Sequence, residues 1–209
     1  MAITSEDVAF LKEEIKNYDM LILQLEIPME INEIVAKYAY DAGVKVMLNS
    51  APSAPLSDEL LACITFISPN ETEIEDMTGV HIEHVGNDVN LADARKAAGI
   101  LRDKGVKNVL ITMGSAGALL INEEGEFYGP CATGVKVADP TAAGDSFVGA
   151  FCTGACCGWD METIIRFANH TAAITVSRMG AMPSLPTLDM VEAGLKERGF
   201  EVPDTSTLK

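Results

Sequence analysis

Positive charge is scarce in this chain. Its 209 residues include 15 Lys and Arg against 31 Asp and Glu, a formal net charge of −16, and no Lys- or Arg-rich stretch interrupts the pattern. That balance excludes nucleic acid or an anionic membrane surface as a partner, because both need clustered positive charge. A phosphate ligand would have to be held by backbone amides, a metal or a few chosen side chains. Long apolar runs are missing too. None approaches the roughly 20 residues that cross a bilayer, and residues 1–20 mix Glu, Asp and Lys into the apolar positions, unlike a secretory leader. The cysteines number five, an odd count. This argues against a disulfide framework and for reduced thiols in a cytoplasmic setting. Cys152, Cys156 and Cys157 have helical spacing in an apolar segment without His or Asp at ligand spacing, so they are expected as small core residues rather than metal ligands. The three histidines form no triad. His81 and His84 fall in a polar loop after Gly79 and His170 in a helix, all three in surface or packing roles. The chain has no internal repeat, low-complexity run or linker, and its length suits one domain.

What is present is an alternation of strand and helix patterns. Thr4, with Asp7 three residues on, predicts a helix carrying Val8, Leu11 and Ile15 on one face. Apolar runs at Met20 to Leu25, Val44 to Leu48, Ile64 to Ile67 and Val109 to Met113 predict buried strands. Between them, helices are predicted from Pro28 to Gly43, Ser57 to Cys63, Glu71 to Thr78 and Leu91 to Lys104. Ala118 to Ile121, a turn at Glu124-Gly125 and Phe127-Tyr128 predict a hairpin. Three helices follow, at Gly144 to Cys157, Met161 to Arg178 and Thr187 to Arg198, and a frayed tail after Pro203. Strands separated by helices imply an α/β fold, a doubly wound, mostly parallel sheet covered on both faces. Ligands of such sheets bind beyond the carboxyl ends of the strands. Gln24, Glu26, Asn49, Ser68, Asn70, Thr112 and Gly114 would stand there.

The run Ala138-Asp139-Pro140-Thr141-Ala142-Ala143-Gly144-Asp145 is the most informative. It enters an apolar helix through small residues. The amides of Ala142, Ala143 and Gly144 would open that helix and could hold an anion. Asp145, in the first turn, is badly placed to bind phosphate but well placed to take a proton from a hydroxyl attacking it. Asn70-Glu71-Thr72-Glu73 reads either as a helix cap or as a site where Glu73 holds magnesium through water. Thr112-Met113-Gly114-Ser115-Ala116-Gly117 reads as an ordinary turn or as a backbone approach to phosphate. It has no Walker Lys and no dinucleotide fingerprint. Asp139 and the loop Ser177 to Ser184 read as a helix-end turn or as a monovalent-cation site.

Taken in order, these segments resemble the ribokinase (PfkB) family of sugar and nucleoside kinases. The similarity rests on Asn70-Glu71-Thr72-Glu73, Thr112-Met113-Gly114-Ser115 and Asp139-Pro140-Thr141-Ala142-Ala143-Gly144-Asp145. Gln24-Leu25-Glu26, Asn49-Ser50-Ala51-Pro52 and Gly180-Ala181-Met182-Pro183-Ser184 resemble the ribokinase branch more than the rest of the family, which favours ribose as acceptor. The resemblance implies an ATP-dependent sugar kinase with Asp145 as base and Ala142, Ala143 and Gly144 as anion hole. It further implies nucleotide contacts at Asn70, Thr112, Gly114, Ser115, Gly117 and Asn169, a sugar contact at Glu26, and magnesium organised by Glu73. Potassium would lie among Asp139, Thr141, Thr175, Arg178, Gly180 and Ser184. The family's N-terminal portion, with its first strands, lid and sugar-holding Gly-Gly and Asp motifs, has no counterpart here. Residues 1–209 are therefore expected to form the C-terminal two-thirds of the family fold, with a bare sheet edge able to pair with another chain. A non-catalytic nucleotide-binding chain of the same descent is the alternative.

Overall fold

The fold was obtained as a computed structural model that describes residues 3–85 and 88–208. In chain order the elements are α1 (Leu11–Glu14), β1 (Met20–Gln24), α2 (Met29–Asp41), β2 (Lys45–Asn49), α3 (Asp58–Cys63), β3 (Phe66–Ser68), α4 (Glu71–Thr78), β4 (His84–Val85), β5 (Asp88–Val89), α5 (Leu91–Asp103), β6 (Asn108–Thr112), β7 (Ala118–Ile121), β8 (Glu126–Gly129), α6 (Ala143–Cys157), α7 (Met161–Val176) and α8 (Leu188–Glu197). The chain divides into two compact units. Residues 1–113 and 119–126 make the first, and 114–118 with 127–209 the second.

In the first unit β1, β2, β3 and β6 are parallel neighbours and β7 follows β6 in the sheet order. The register pairs Gln24 with Asn49 and Asn49 with Ser68, which lines polar residues along the carboxyl ends of the strands as expected. Val46, Met47 and Leu48 of β2 and Val109, Leu110 and Ile111 of β6 are all inaccessible. Successive residues of a strand point to opposite faces, so both faces are covered there. At the edge the pattern changes. Among the described residues β1 pairs only with β2, and Ile22 is 48% exposed.

Three expectations fail in this unit. The first helix shrinks to one turn at Leu11–Glu14, because Thr4 does not cap a helix: its N–H (2.9 Å) and its hydroxyl (2.7 Å) both donate to Asp7 Oδ2, closing a local turn instead. Val8 and Ile15 are buried all the same. β3 begins two residues late, since Ile64 ends α3. The loop after Gly79 is a short antiparallel ribbon of β4 and β5, whose two-residue strands are too brief to leave an alternation in the sequence. Its histidines pair with α4: His81 Nδ1 lies 2.7 Å from Glu75, and His84 bonds Glu71.

The second unit is built on α6, α7 and α8, with α7 packed against both the others. Phe147 and Phe151 stack, and Trp159 meets Phe167 edge-on at 5.1 Å. A Cβ on Gly154 would stand 2.8 Å from the Trp159 ring, so only glycine lets the ring lie against α6. Cys152 is core as expected, its thiol pushed up to about 12 by burial and then by Cys156, whereas Cys156 is exposed. No disulfide joins any of the five cysteines. The tail is pinned rather than frayed. Thr205 is buried and donates to Glu192 Oε1 at 2.6 Å, and the Trp159 indole donates to Asp204 O at 3.1 Å. No helix among the described residues is long and apolar enough to cross a membrane.

Candidate functional site

In the first unit, the chemistry-bearing residues gather where β3 and β6 end. Asn70 bridges Thr112 in parallel register, and Thr112 N–H donates to Pro69 O at 2.9 Å, so both strands deliver their last residues to one place. Asn70 then opens α4 with a reciprocal box. Its Oδ1 accepts from Glu73 N–H (2.9 Å), while the Glu73 carboxylate accepts from Asn70 N–H (2.9 Å) and Asn70 Nδ2 (2.8 Å). Ser50, which the sequence reading quoted without a role, donates to the same carboxylate at 3.2 Å. Glu73 is only 7% exposed, and three donors hold its two oxygens in a fixed direction. The capping role is thus realised in full. Asn70→Ala removes the side-chain half of the box and the Nδ2 bond to Glu73, leaving only the backbone N–H half, and is expected to cost about 1–2 kcal/mol in urea unfolding. A smaller loss than a single surface substitution gives would contradict that role. Glu26 stands exposed in the turn just past β1.

In the second unit, Gly114 to Ala116 form a single 3-10 turn. The two glycines of this loop do different work. Gly114 has φ +51 with nothing within 4 Å of where a Cβ would be, so its Cα faces open space. Gly117 has φ +96, and a Cβ there would lie 2.1 Å from Gly129 O and 2.7 Å from Cys131 N. Glycine at 117 serves the packing of two backbone stretches. Gly129 is equally constrained, with Ile165 Cγ2 at 2.4 Å from its virtual Cβ. Sequence reading missed it, because a glycine at a strand end looks like any turn residue. Asn169 is buried on α7 and spends its Nδ2 on Gly129 O (2.9 Å) and Pro130 O (3.2 Å).

The entry to α6 is a tight turn. Ala142 takes a left-handed conformation (φ 62, ψ 11), the non-glycine residue with positive φ among those described. Its carbonyl accepts from Ser146 N–H at 2.9 Å. Ala143 N–H donates to Pro140 O at 3.2 Å, so that amide closes the turn. The amides of Gly144 and Asp145 follow in the first helical turn, where no intrahelical carbonyl is available. Gly144 is exposed, and a Cβ there would meet nothing within 4 Å. Asp145 is exposed on the wall of a cleft of about 440 Å³ that Ser146, Thr171, Leu185 and Leu188 also line.

Asp139 joins the two loops of the cation hypothesis. Its Oδ1 accepts from Thr141 N–H (2.9 Å) and Thr141 Oγ1 (2.6 Å), and its Oδ2 from Gly180 N–H (2.9 Å). The structure therefore brings Asp139, Thr141 and Gly180 together. Thr175 and Ser184 are buried, but their hydroxyls are engaged locally, with Thr171 O (3.0 Å) and Ala181 O (2.7 Å), and Arg178 reaches Met190 Sδ at 3.2 Å. The Thr141 side-chain and backbone bonds, then that of Gly180, hold the Asp139 carboxyl below its ordinary 3.8. A depressed carboxylate stabilises the fold above its unfolded pKa and loses that contribution as pH falls through the folded value. Asp139→Asn is expected to flatten the acid limb of stability below about pH 4 and to leave the neutral region's pH dependence alone. An unchanged acid limb in urea titrations would contradict this.

Residues 3–188 match the pfkB family carbohydrate kinase domain. The chain is 41% identical over 177 residues to the ribokinase of Haemophilus influenzae, covering 83% of this chain and 55% of that one. It is 38% identical over 186 residues to the ribokinase of Schizosaccharomyces pombe, covering 87% and 57%. The solved structure of Arabidopsis thaliana ribokinase complexed with ribose and ATP matches with a TM-score of 0.84 at 34% identity, over 93% of this chain and 60% of that chain. The chain belongs to the pfkB family of carbohydrate kinases and has the ribokinase-like α/β fold. It spans 55% to 60% of the length of these relatives.

Proposed function

We propose that this chain is the nucleotide-binding and proton-abstracting part of an ATP-dependent sugar kinase that phosphorylates ribose or a close relative on a primary hydroxyl. The observation that carries the reading is the exposed Asp145 in the first turn of α6, beside helix-opening amides and on a cleft wall. In this reading Asp145 takes the hydroxyl proton and the sugar oxygen bonds the γ-phosphorus. The bond from that phosphorus to the bridging oxygen breaks, and ADP leaves. Gly144 and the turn of Ala142 and Ala143 steady the charge on the transferring group, the Ala143 amide being partly committed to Pro140. In the second unit Gly114, Ser115, Gly117 and Asn169 take the nucleotide; for Asn70 and Thr112 of the first unit a nucleotide contact rests on the family resemblance alone. Glu26 contacts the sugar.

Magnesium fits Glu73 through water. The carboxylate is fixed by three donors, and no group of three or more acidic, His or Cys residues among those described could hold the ion alone. Nucleotide oxygens and water would supply the remaining ligands. Potassium would be held where Asp139 bonds Thr141 and Gly180, and Thr175, Arg178 and Ser184 would contribute main-chain oxygens. When bound, such cations would supply positive charge against the phosphates. Ribose is favoured because the relatives include ribokinases at 41% and 38% identity, while a deoxyribokinase of Salmonella typhi stands at 32%. The odd cysteine count is in keeping with a cytoplasmic setting, and β1, paired with β2 alone among the described residues, offers an edge to another strand.

A second reading, nucleotide binding without turnover, is favoured by the Ala143 amide, which already donates to Pro140 O and so is partly spent before any phosphoryl group arrives. Calorimetric titration with ATP, then ADP release across ribose, deoxyribose and fructose with magnesium and potassium, separates the two. Ribose-dependent release supports the kinase. ATP binding with no sugar response supports the second reading, and absence of ATP binding overturns both.

A further inference from the structure

His170 is 5% exposed, and its ring is oriented by one bond. Nδ1 lies 2.8 Å from Arg166 O, and a carbonyl can only accept, so Nδ1 carries the hydrogen. Burial pushes the His170 pKa down, against the bond to Arg166 O and with the positive charges of Arg198 and Arg166, which favours the neutral ring. Nε2 then presents a lone pair, and it is buried without a partner. Such an orphan acceptor costs about 1–3 kcal/mol and calls for an occupant.

Two clefts, of about 650 and 710 Å³, meet at this residue, and Arg198 also lines both. Their roof is the strandless segment after β8, tied down by Arg198, which donates to Thr133 O at 2.6 Å. Arg166 lines the larger cleft, donating one N–H to Thr163 Oγ1 at 3.1 Å. Each guanidinium has five N–H donors, so most of each remains available to an acceptor. Phe200, partly exposed, lies edge-on to the His170 ring at 5.1 Å and beneath Arg166 at 5.5 Å. Glu162 in one cleft and Glu197 in the other disfavour a bulky polyanion.

We propose that these joined clefts bind a small organic anion carrying a hydroxyl, its charge held by Arg166 and Arg198 and its hydroxyl donating to His170 Nε2. Two sources share that chemistry, a hydroxy-carboxylate and a phosphate monoester. Asn169 stands on the same helix, and its amide bonds Gly129 and Pro130, which also line the larger cleft, so competition with ATP belongs in the test.

The test uses the full chain with ¹⁵N-labelled histidine, D-glycerate and glycerol 3-phosphate as the two probes, and sulfate as an anion without a donor. His170→Gln assigns the resonance. The unliganded chain should show a neutral ring with hydrogen on Nδ1 at pH 7. Either probe should move the Nε2 resonance saturably and identify the source, whereas sulfate should not. Arg166→Gln and Arg198→Gln should each weaken the response about tenfold, and saturating ATP should leave it in place. Should Arg198→Gln fail to fold, the wild-type tautomer and Arg166→Gln decide. No shift with either probe, an equal shift with sulfate, a ring protonated at pH 7, or displacement by ATP would each overturn the proposal.

Discussion

Asp145→Asn is expected to cut sugar-dependent ADP release by about 10²–10⁴-fold, the usual worth of a positioned proton acceptor, while ATP affinity stays level or rises. The two readouts move apart for a physical reason. A carboxylate beside a polyphosphate repels it, so its neutral isostere loses the base without losing the ligand. Asparagine also keeps the shape and the hydrogen-bonding reach of the side chain in the first turn of α6, where Ser146 N–H already holds Ala142 O. A merely structural Asp145 would give another pattern, with stability and ATP affinity falling together. Turnover retained in Asp145→Asn, or a parallel loss of ATP binding, would remove the proposed base.

Gly117→Ala should be the most damaging single methyl in the second unit. The added carbon would arrive 2.1 Å from Gly129 O, 2.7 Å from Cys131 N and 2.8 Å from Pro130 C, and all three are backbone atoms that no rotamer change can clear. The φ of +96 adds left-handed strain. Overpacking of about 1–3 kcal/mol with about 1–2 kcal/mol from the backbone takes a large part of an ordinary domain's stability. A fall in Tm of roughly 5–15 °C is expected by calorimetry. Gly114→Ala is the control, with φ +51 and open space around the Cβ, so only the backbone strain applies. Equal losses at the two positions would mean that conformation alone, not the approach of residues 129–131, requires glycine at 117.

Periodicity made most of the fold legible, because the strands between helices are apolar throughout and the helices carry clear faces. It failed where a side chain chose a different partner. Thr4 looks like a cap, yet its hydroxyl serves Asp7, and a one-residue preference of that kind leaves no pattern. The ribbon of β4 and β5 is too short for alternation to register. The tail after Pro203 is polar in composition, but Thr205 and Trp159 each find one partner, which composition does not reveal. At the candidate site the motif residues were legible because their chemistry is unusual for their position. Their local bonds were not. Glu73 closes a capping box and accepts from Ser50, Asn169 holds the end of β8, and Asp139 ties two loops, each through contacts 3 to 41 residues apart in sequence.

The left-handed Ala142 has a consequence for how the chain behaves at rest. An L-residue there stores on the order of 1 kcal/mol, which glycine would release. Glycine would also let the peptide swing through orientations that alanine forbids. The methyl group therefore trades a little ground-state comfort for stiffness, and the hinge before α6 keeps its dipoles pointed one way before any ligand arrives.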